Sequence, residues 1–235
     1  MKSTKIHFEK IFIILFFSLL AISLLNYSCS PQYTPNLVNS PLLSNNGEFE
    51  GSASLGGTGG DIQSAYAVSN HFGIMANLNS GISNDHAIIE LGTGYYSQFK
   101  KAGRYGFYCG GGICEKNNSG FCRFFFQPTI GFVTDELEAS FSTRFTYFNL
   151  RNPINHFLLY STKRRFSTYF EPALSMKIPI DKIRIFYQIG IYLPLNDYSI
   201  KPYEPESLFK GNSLLNVSVG IQICLGKNLT SKINH

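Results

Sequence analysis

The sequence predicts an all-β protein: an antiparallel, up-and-down, transmembrane-type barrel of about ten strands (8–10), following a cleaved amino-terminal signal segment. Three observations carry this. From Glu48 onward apolar residues recur with a period of two, and no 3.6-residue period replaces it. The composition is 15% aromatic and only 15% charged, with 21 Gly, 21 Phe, 14 Tyr and no Trp, which disfavours a helical enzyme or a disordered chain. The links between periodic segments alternate between tight and long. A chain of 235 residues suffices for one barrel and not for several domains. The net charge of +5 falls to +3 without residues 1–28, where Lys2, Lys5 and Lys10 outnumber Glu9, so a dedicated nucleic-acid binder is excluded.

Residues 1–28 have the anatomy of a signal peptide: lysines first, then the uncharged run Ile11 to Leu25. The run is short for a spanning helix, which needs ~20 apolar residues. Asn26-Tyr27-Ser28-Cys29 places a small residue directly before a cysteine and resembles the bacterial lipobox, which implies lipidation of Cys29 as the mature amino-terminus. It departs from the usual pattern in having Asn26 where Leu is typical. Residues 29–46, with Pro31, Pro35 and Pro41, read as an extended periplasmic tether between that anchor and the barrel.

The barrel occupies 47–226 and a tail 227–235. Its strands are expected near 48–57, 61–69, 72–82, 86–98, 103–114, 122–133, 137–149, 167–179, 182–194 and 214–225. In the last of these Leu215, Val217, Val219, Ile221, Ile223 and Leu225 alternate with Asn216, Ser218, Gly220, Gln222 and Cys224. Tight links fall at Asn70-His71, Phe99–Ala102, Thr134–Glu136 and Ile180-Asp181, and longer ones between them, notably Leu150–Phe166 and Leu195–Ser213. Short turns on one rim and long loops on the other are the arrangement of an outer-membrane barrel with both ends in the periplasm.

Alternation alone leaves two directions open for the apolar row, inward around a ligand or outward into lipid. The polar row holds Glu50, Glu90, Glu138 and Glu171 with Arg104, Arg123, Arg144, Lys177 and Arg184, a near-balanced set that a narrow lumen would force to pair. Aromatics gather towards the ends of the apolar row, including Tyr105, Phe107, Phe124, Phe126, Phe132, Phe145, Tyr147 and Phe170, as in the girdles of membrane barrels. Pro128 and Pro172 lie inside rows, where a closed barrel has no free edge for a missing N–H, so local bulges are expected there.

Those prolines belong to an internal echo, Phe125-Phe-Gln-Pro-Thr-Ile-Gly-Phe132 against Tyr169-Phe-Glu-Pro-Ala-Leu-Ser-Met176, spaced by 44 residues. With Cys29–Asn36, Gly47-Glu-Phe, Ala65-Tyr-Ala-Val, Ser142-Thr-Arg-Phe145 and the Ser218–Leu225 strand, which resembles a carboxy-terminal barrel signal, the mature chain is similar to uncharacterised outer-membrane β-barrel lipoproteins. The resemblance implies the fold and location and carries no activity.

Little chemistry is visible. Cys114 and Cys122 flank a loop and are candidates for a bracing disulfide in an oxidising exterior, with two unbonded thiols as the alternative. Cys109-Gly-Gly-Gly-Ile-Cys114 lacks zinc-ligand spacing, and Gly56–Gly60 lacks the Lys-Ser/Thr of a phosphate loop and reads as a hairpin turn. His86 and Glu90 share a face at a separation of ~13 Å, too far for one to orient the other. His156 falls in the longest loop. Arg151, Lys163, Arg164 and Arg165 in that loop are candidates for lipopolysaccharide phosphate.

The sequence therefore points to a non-enzymatic outer-membrane barrel lipoprotein. Its lumen is expected to be closed and charge-paired, its role structural or surface-interacting, and its amino-terminus lipid-anchored on the periplasmic side. No cofactor or metal is expected. The expected partners are outer-membrane lipid and the barrel-assembly machinery, with no specific protein partner indicated. A small pore and a periplasmic lipid-anchored barrel for a hydrophobic ligand are the alternatives.

Overall fold

The computed structural model describes residues 35–81, 86–116, 119–150, 165–180, 183–197 and 215–226. The signal segment, Cys29, the carboxy-terminal tail, His156 and three loop cations, Arg151, Lys163 and Arg164, lie outside these residues.

Period-two alternation produces strands throughout: β1 (Phe49–Gly56), β2 (Gly59–Ala67), β3 (Phe72–Ser80), β4 (His86–Phe99), β5 (Gly103–Lys116) and β6 (Ser119–Val133). They are followed by β7 (Glu138–Leu150), β8 (Arg165–Ile180), β9 (Ile183–Ile191), β10 (Leu193–Asp197) and β11 (Leu215–Leu225). Each pairs antiparallel with its neighbour, and β11 pairs with both β9 and β1, which closes the sheet on itself. β9 and β10 both pair with β8 and form one physical strand interrupted at Tyr192, so the barrel has ten staves.

Both prolines interrupt the ladder without the expected bulges. β6 and β7 lose pairing at Gln127-Pro128 and resume at Thr129↔Ser142 in the same register. Pro172 keeps its place opposite Thr143, but on its other side pairing lapses between Leu193↔Phe170 and Ala173↔Gly190. That gap separates β9 from β10, as expected where the strand offers no N–H. The one register shift on this ladder comes later, between Pro194 and Asn196.

One rim, called near, carries both barrel ends, Phe49 and Leu225, which pair with each other. It also holds the turns after β2, β4 and β6, and the β8–β9 junction at Ile180↔Ile183. The opposite, far rim holds the Gly57-Thr58 hairpin, where Gly59 adopts φ 121°, and the other ends of the strands.

The direction of the rows is unambiguous. Leu55, Ile62, Leu91, Ile113 and Phe124 on the outer surface are each at least 60% exposed, while Glu90, Arg123, Arg144, Glu171 and Arg184 inside are at most 1% exposed. Apolar outside and ionic inside inverts the soluble pattern and matches a barrel solvated by lipid. Aromatics cluster on the exterior towards the near rim, where Tyr105 lies 6.4, 6.2 and 6.1 Å from the rings of Tyr95, Phe99 and Phe107. The interior is mixed: an apolar cluster of Ile88, Phe121, Phe148 and Tyr169 shares it with the ionic residues, so it is not lined with Ile and Phe alone.

An arginine at Leu91 would place a cation on this outer face. Leu91→Arg is expected to cost ~2–4 kcal/mol in urea unfolding from lipid vesicles, and Asp135→Arg in a near-rim turn less than ~0.5 kcal/mol.

Candidate functional site

The lumen is occupied by the protein's own chain. Residues 35–44 form neither helix nor strand, and they run inside the barrel instead of through solvent, all of them buried. For residues 35–44 this corrects the reading of 29–46 as a periplasmic leash; residues 29–34 lie outside the described residues. The physical reason lies in the wall: inward amides supply the partners that a lone segment lacks. Gln188 donates to Val38 O at 2.7 Å and accepts from Val38 N at 3.0 Å. Gln63 donates to Leu37 O at 2.8 Å and Gln127 to Asn39 O at 2.6 Å, so glutamine side chains replace a neighbouring backbone. Asn39 donates to Asn77 Oδ1 at 2.8 Å, and Ser40 Oγ lies 2.8 Å from Ser142 Oγ.

The near-rim end of this plug is fastened separately. Arg104 Nε donates to Ser44 Oγ at 2.7 Å and Gln98 to Ser44 O at 2.9 Å, while Glu48 accepts from Ser44 N at 2.7 Å. Gly47, at φ 81°, then reverses the chain into β1, a conformation open to glycine at little cost. The leucines before the turn enter notches made by missing side chains. A Cβ on Gly73 would stand 2.8 Å from Leu43 Cδ1, and one on Gly131 would stand 2.7 Å from Leu42 Cδ1. Leu43 packs with Ala67 and Tyr96 in one of the buried apolar clusters.

Two ionic clusters sit at different heights. Nearer the near rim, Lys177 Nζ lies 2.7 Å from Glu138 and 3.3 Å from Glu50, and Arg184 Nη1 lies 2.7 and 3.9 Å from the same two carboxylates. Two cations against two carboxylates leave no net charge. Gln222 donates a further bond to Glu50 at 2.9 Å. Farther along the lumen, Glu90 pairs with Arg123 at 2.7 Å and Arg144 at 3.4 Å, and accepts from Asn77 at 3.1 Å and from Asn36 of the plug.

Arg144 gives the internal echo a purpose. It donates to Gln127 Oε1 from Nε at 3.0 Å and Nη2 at 2.8 Å, and Glu171 faces it in the β7–β8 register. The Phe-Gln-Pro segment thus supplies an acceptor to this guanidinium and the Phe-Glu-Pro segment sets Glu171 opposite Arg144 across the ladder, while the guanidinium also lies 4.6 Å from the centre of the Phe125 ring.

Of the expected charge network, Glu50, Glu90, Arg123, Glu138, Arg144, Lys177 and Arg184 form the two clusters, and Glu171 is buried beside Arg144's strand. Arg104 differs: it is a rim clamp on Ser44 and not a member of either cluster. Cys114 and Cys122 carry their side chains to opposite faces, one into the lumen and one outward, and no disulfide joins them. Adjacent strands can bridge only side chains on one face. His86 is buried near the far rim with Nε2 2.8 Å from Asn79 Oδ1. Arg165 is the first residue of β8. Sequence reasoning missed Asp61, whose Oδ1 accepts from Leu37 N at 3.2 Å, and the inward Gln and Asn residues. The signal for the latter was an excess of amides in the polar rows.

Fold and lumen together define a plugged, transmembrane-type β-barrel. No family model and no curated protein matches the chain. Among solved structures, the amino-terminal β-barrel domain of Pseudomonas aeruginosa OprF is similar at 12% identity and a TM-score of 0.34, covering 77% of this chain and 98% of that one. The KdgM porin is similar at 12% identity and a TM-score of 0.36, covering 75% of this chain and 98% of that one. The same porin in complex with disordered oligogalacturonate gives 12% identity and a TM-score of 0.37, with the same coverage. No function passes from those proteins to this chain at such values.

Removing one buried cation leaves its carboxylates under-compensated. Lys177→Met is expected to lower unfolding free energy in vesicles by ~3–5 kcal/mol, with part of the loss restored on adding Glu138→Gln.

Proposed function

We propose that this protein is an outer-membrane lipoprotein barrel, acylated at Cys29, with a structural or surface-interaction role and a lumen sealed against solutes. The observation that supports sealing is the buried plug, bonded to strands β2, β3, β6, β7 and β9 along its length. A channel needs a continuous polar path. Here the polar wall is taken up by the plug and by two ionic clusters, of which the near-rim one is charge-neutral. The reading assigns no catalysis and no cofactor. The short turns and both barrel ends of the near rim face the periplasm, and the far rim faces outward. Outer-membrane lipid is the immediate partner, lipopolysaccharide phosphate is the proposed contact of Arg151, Lys163, Arg164 and Arg165, and the assembly machinery handles the chain during biogenesis.

The small pore is the second reading, favoured by the polar character of the lumen wall, which would conduct if the plug withdrew. Planar-bilayer recording of the purified full chain separates the two: negligible conductance is expected, and steady ion-selective openings would establish the pore. Membrane fractionation of Cys29→Ala tests the barrel itself. The variant is expected to stay in the outer membrane and to shift in gel mobility on boiling; a soluble, unshifted periplasmic protein would refute the membrane reading.

A further inference from the structure

The plug has a direction, and the direction carries information about where the amino-terminus lies. Ser44 is held beside the β4–β5 turn of the near rim by Gln98 and Arg104. Ser40 is at the level of Ser142, part-way along β7. Leu37 reaches Asp61, two residues from the far-rim hairpin, and Asn36 accepts from Arg144 Nη1 at 3.0 Å while its carbonyl faces Tyr192 Oη at 3.5 Å. Glu90, the other partner of Asn36, lies four residues from the far-rim end of β4. Read in chain order, residues 36 to 44 descend from the far half of the lumen to the near rim.

We infer that the chain enters the barrel at the far rim, so that Cys29 lies on the side opposite both barrel ends, which on the outer-membrane reading above is the cell surface. Reach decides this. Glu90, which holds Asn36, and Gln98, which holds Ser44, are eight residues apart in β4, about 26 Å at ~3.3 Å per strand residue, comparable to the ~25 Å apolar band of a membrane barrel. Cys29 is six residues before Pro35, at most ~20–22 Å of fully extended chain. That is too short to return the length of the plug to the near rim, inside or outside the wall. An acyl group on Cys29 therefore enters the outer leaflet beside the far rim, which reverses the periplasmic anchor expected from the linear order of tether and barrel.

The geometry has a consequence for assembly. A strand anchored by lipid on one side and continuous with β1 on the other cannot be threaded into a finished cylinder from its free end. The wall has to close around it, with the β1–β11 seam joining after the plug is bonded.

The test is site-specific labelling with a membrane-impermeant maleimide on intact and permeabilised cells. Cys109, Cys114, Cys122 and Cys224 are replaced by Ser, Cys29 is retained, and Gln32→Cys is compared with Thr58→Cys in the far-rim hairpin and Asp135→Cys in a near-rim turn. Heat-shifted gel mobility confirms that each variant is a folded barrel. Gln32→Cys is expected to follow Thr58→Cys, with labelling of intact cells about tenfold above Asp135→Cys. If Gln32→Cys instead follows Asp135→Cys while Thr58→Cys is labelled, the far-rim entry is wrong and the barrel reading stands. If Thr58→Cys and Asp135→Cys both label only after permeabilisation, the outer-membrane reading fails and the surface position of Cys29 fails with it.

Discussion

Polar side chains aimed into a closed barrel must be bonded inside it, and most features of this protein trace to how that demand is met. An unbonded buried amide costs about 1–3 kcal/mol, and an unpaired buried charge costs more. Glutamines at 63, 127 and 188 satisfy themselves on the backbone of residues 37–39, and those backbone groups are satisfied in turn. Wall and plug therefore need each other. The notches at Gly73 and Gly131 admit Leu43 and Leu42, and the charged residues pair in two clusters along the lumen. The lumen, not the sheet exterior, is this protein's core.

The exterior follows from the same allocation. With the ionic and amide residues turned inward, the outward row is left apolar over every stave, and lipid is the solvent that such a surface fits. Backbone groups are consumed by a ladder that closes from β1 through β11, so no edge is left for aggregation. The two prolines are affordable because their gaps are local: at Gln127-Pro128 the side chain of Arg144 spans the interruption, and opposite Pro172 the strand resumes after Tyr192.

Strands and facing were legible because a period of two is a local property, visible in runs such as Leu215 to Leu225. Ionic pairing was legible in outline because opposite charges of near-equal number shared one row. The plug was not. Residues 36–44 carry no charge and no periodicity, and their order comes entirely from side chains far away in the chain, such as Gln188 for Val38. A segment ordered by others has no pattern of its own. Cys114 and Cys122 illustrate the converse, since loop-flanking positions suggest proximity, but facing is set by register across a hairpin. The role of Arg104 depends on Ser44 arriving beside it, which again required the plug to be known.

The sealed lumen depends on residues 35–44 lying inside the barrel, and the most direct measurement is a crosslink between plug and wall. Ser40 and Ser142, with Oγ atoms 2.8 Å apart, are replaced by Cys in a chain whose Cys109, Cys114, Cys122 and Cys224 are Ser. The folded barrel is extracted, mildly oxidised and digested for mass spectrometry. A peptide pair joined through residues 40 and 142 in most molecules is the predicted result. Two thiols that remain separate and react freely with maleimide would contradict the plug and return residues 35–44 to solvent.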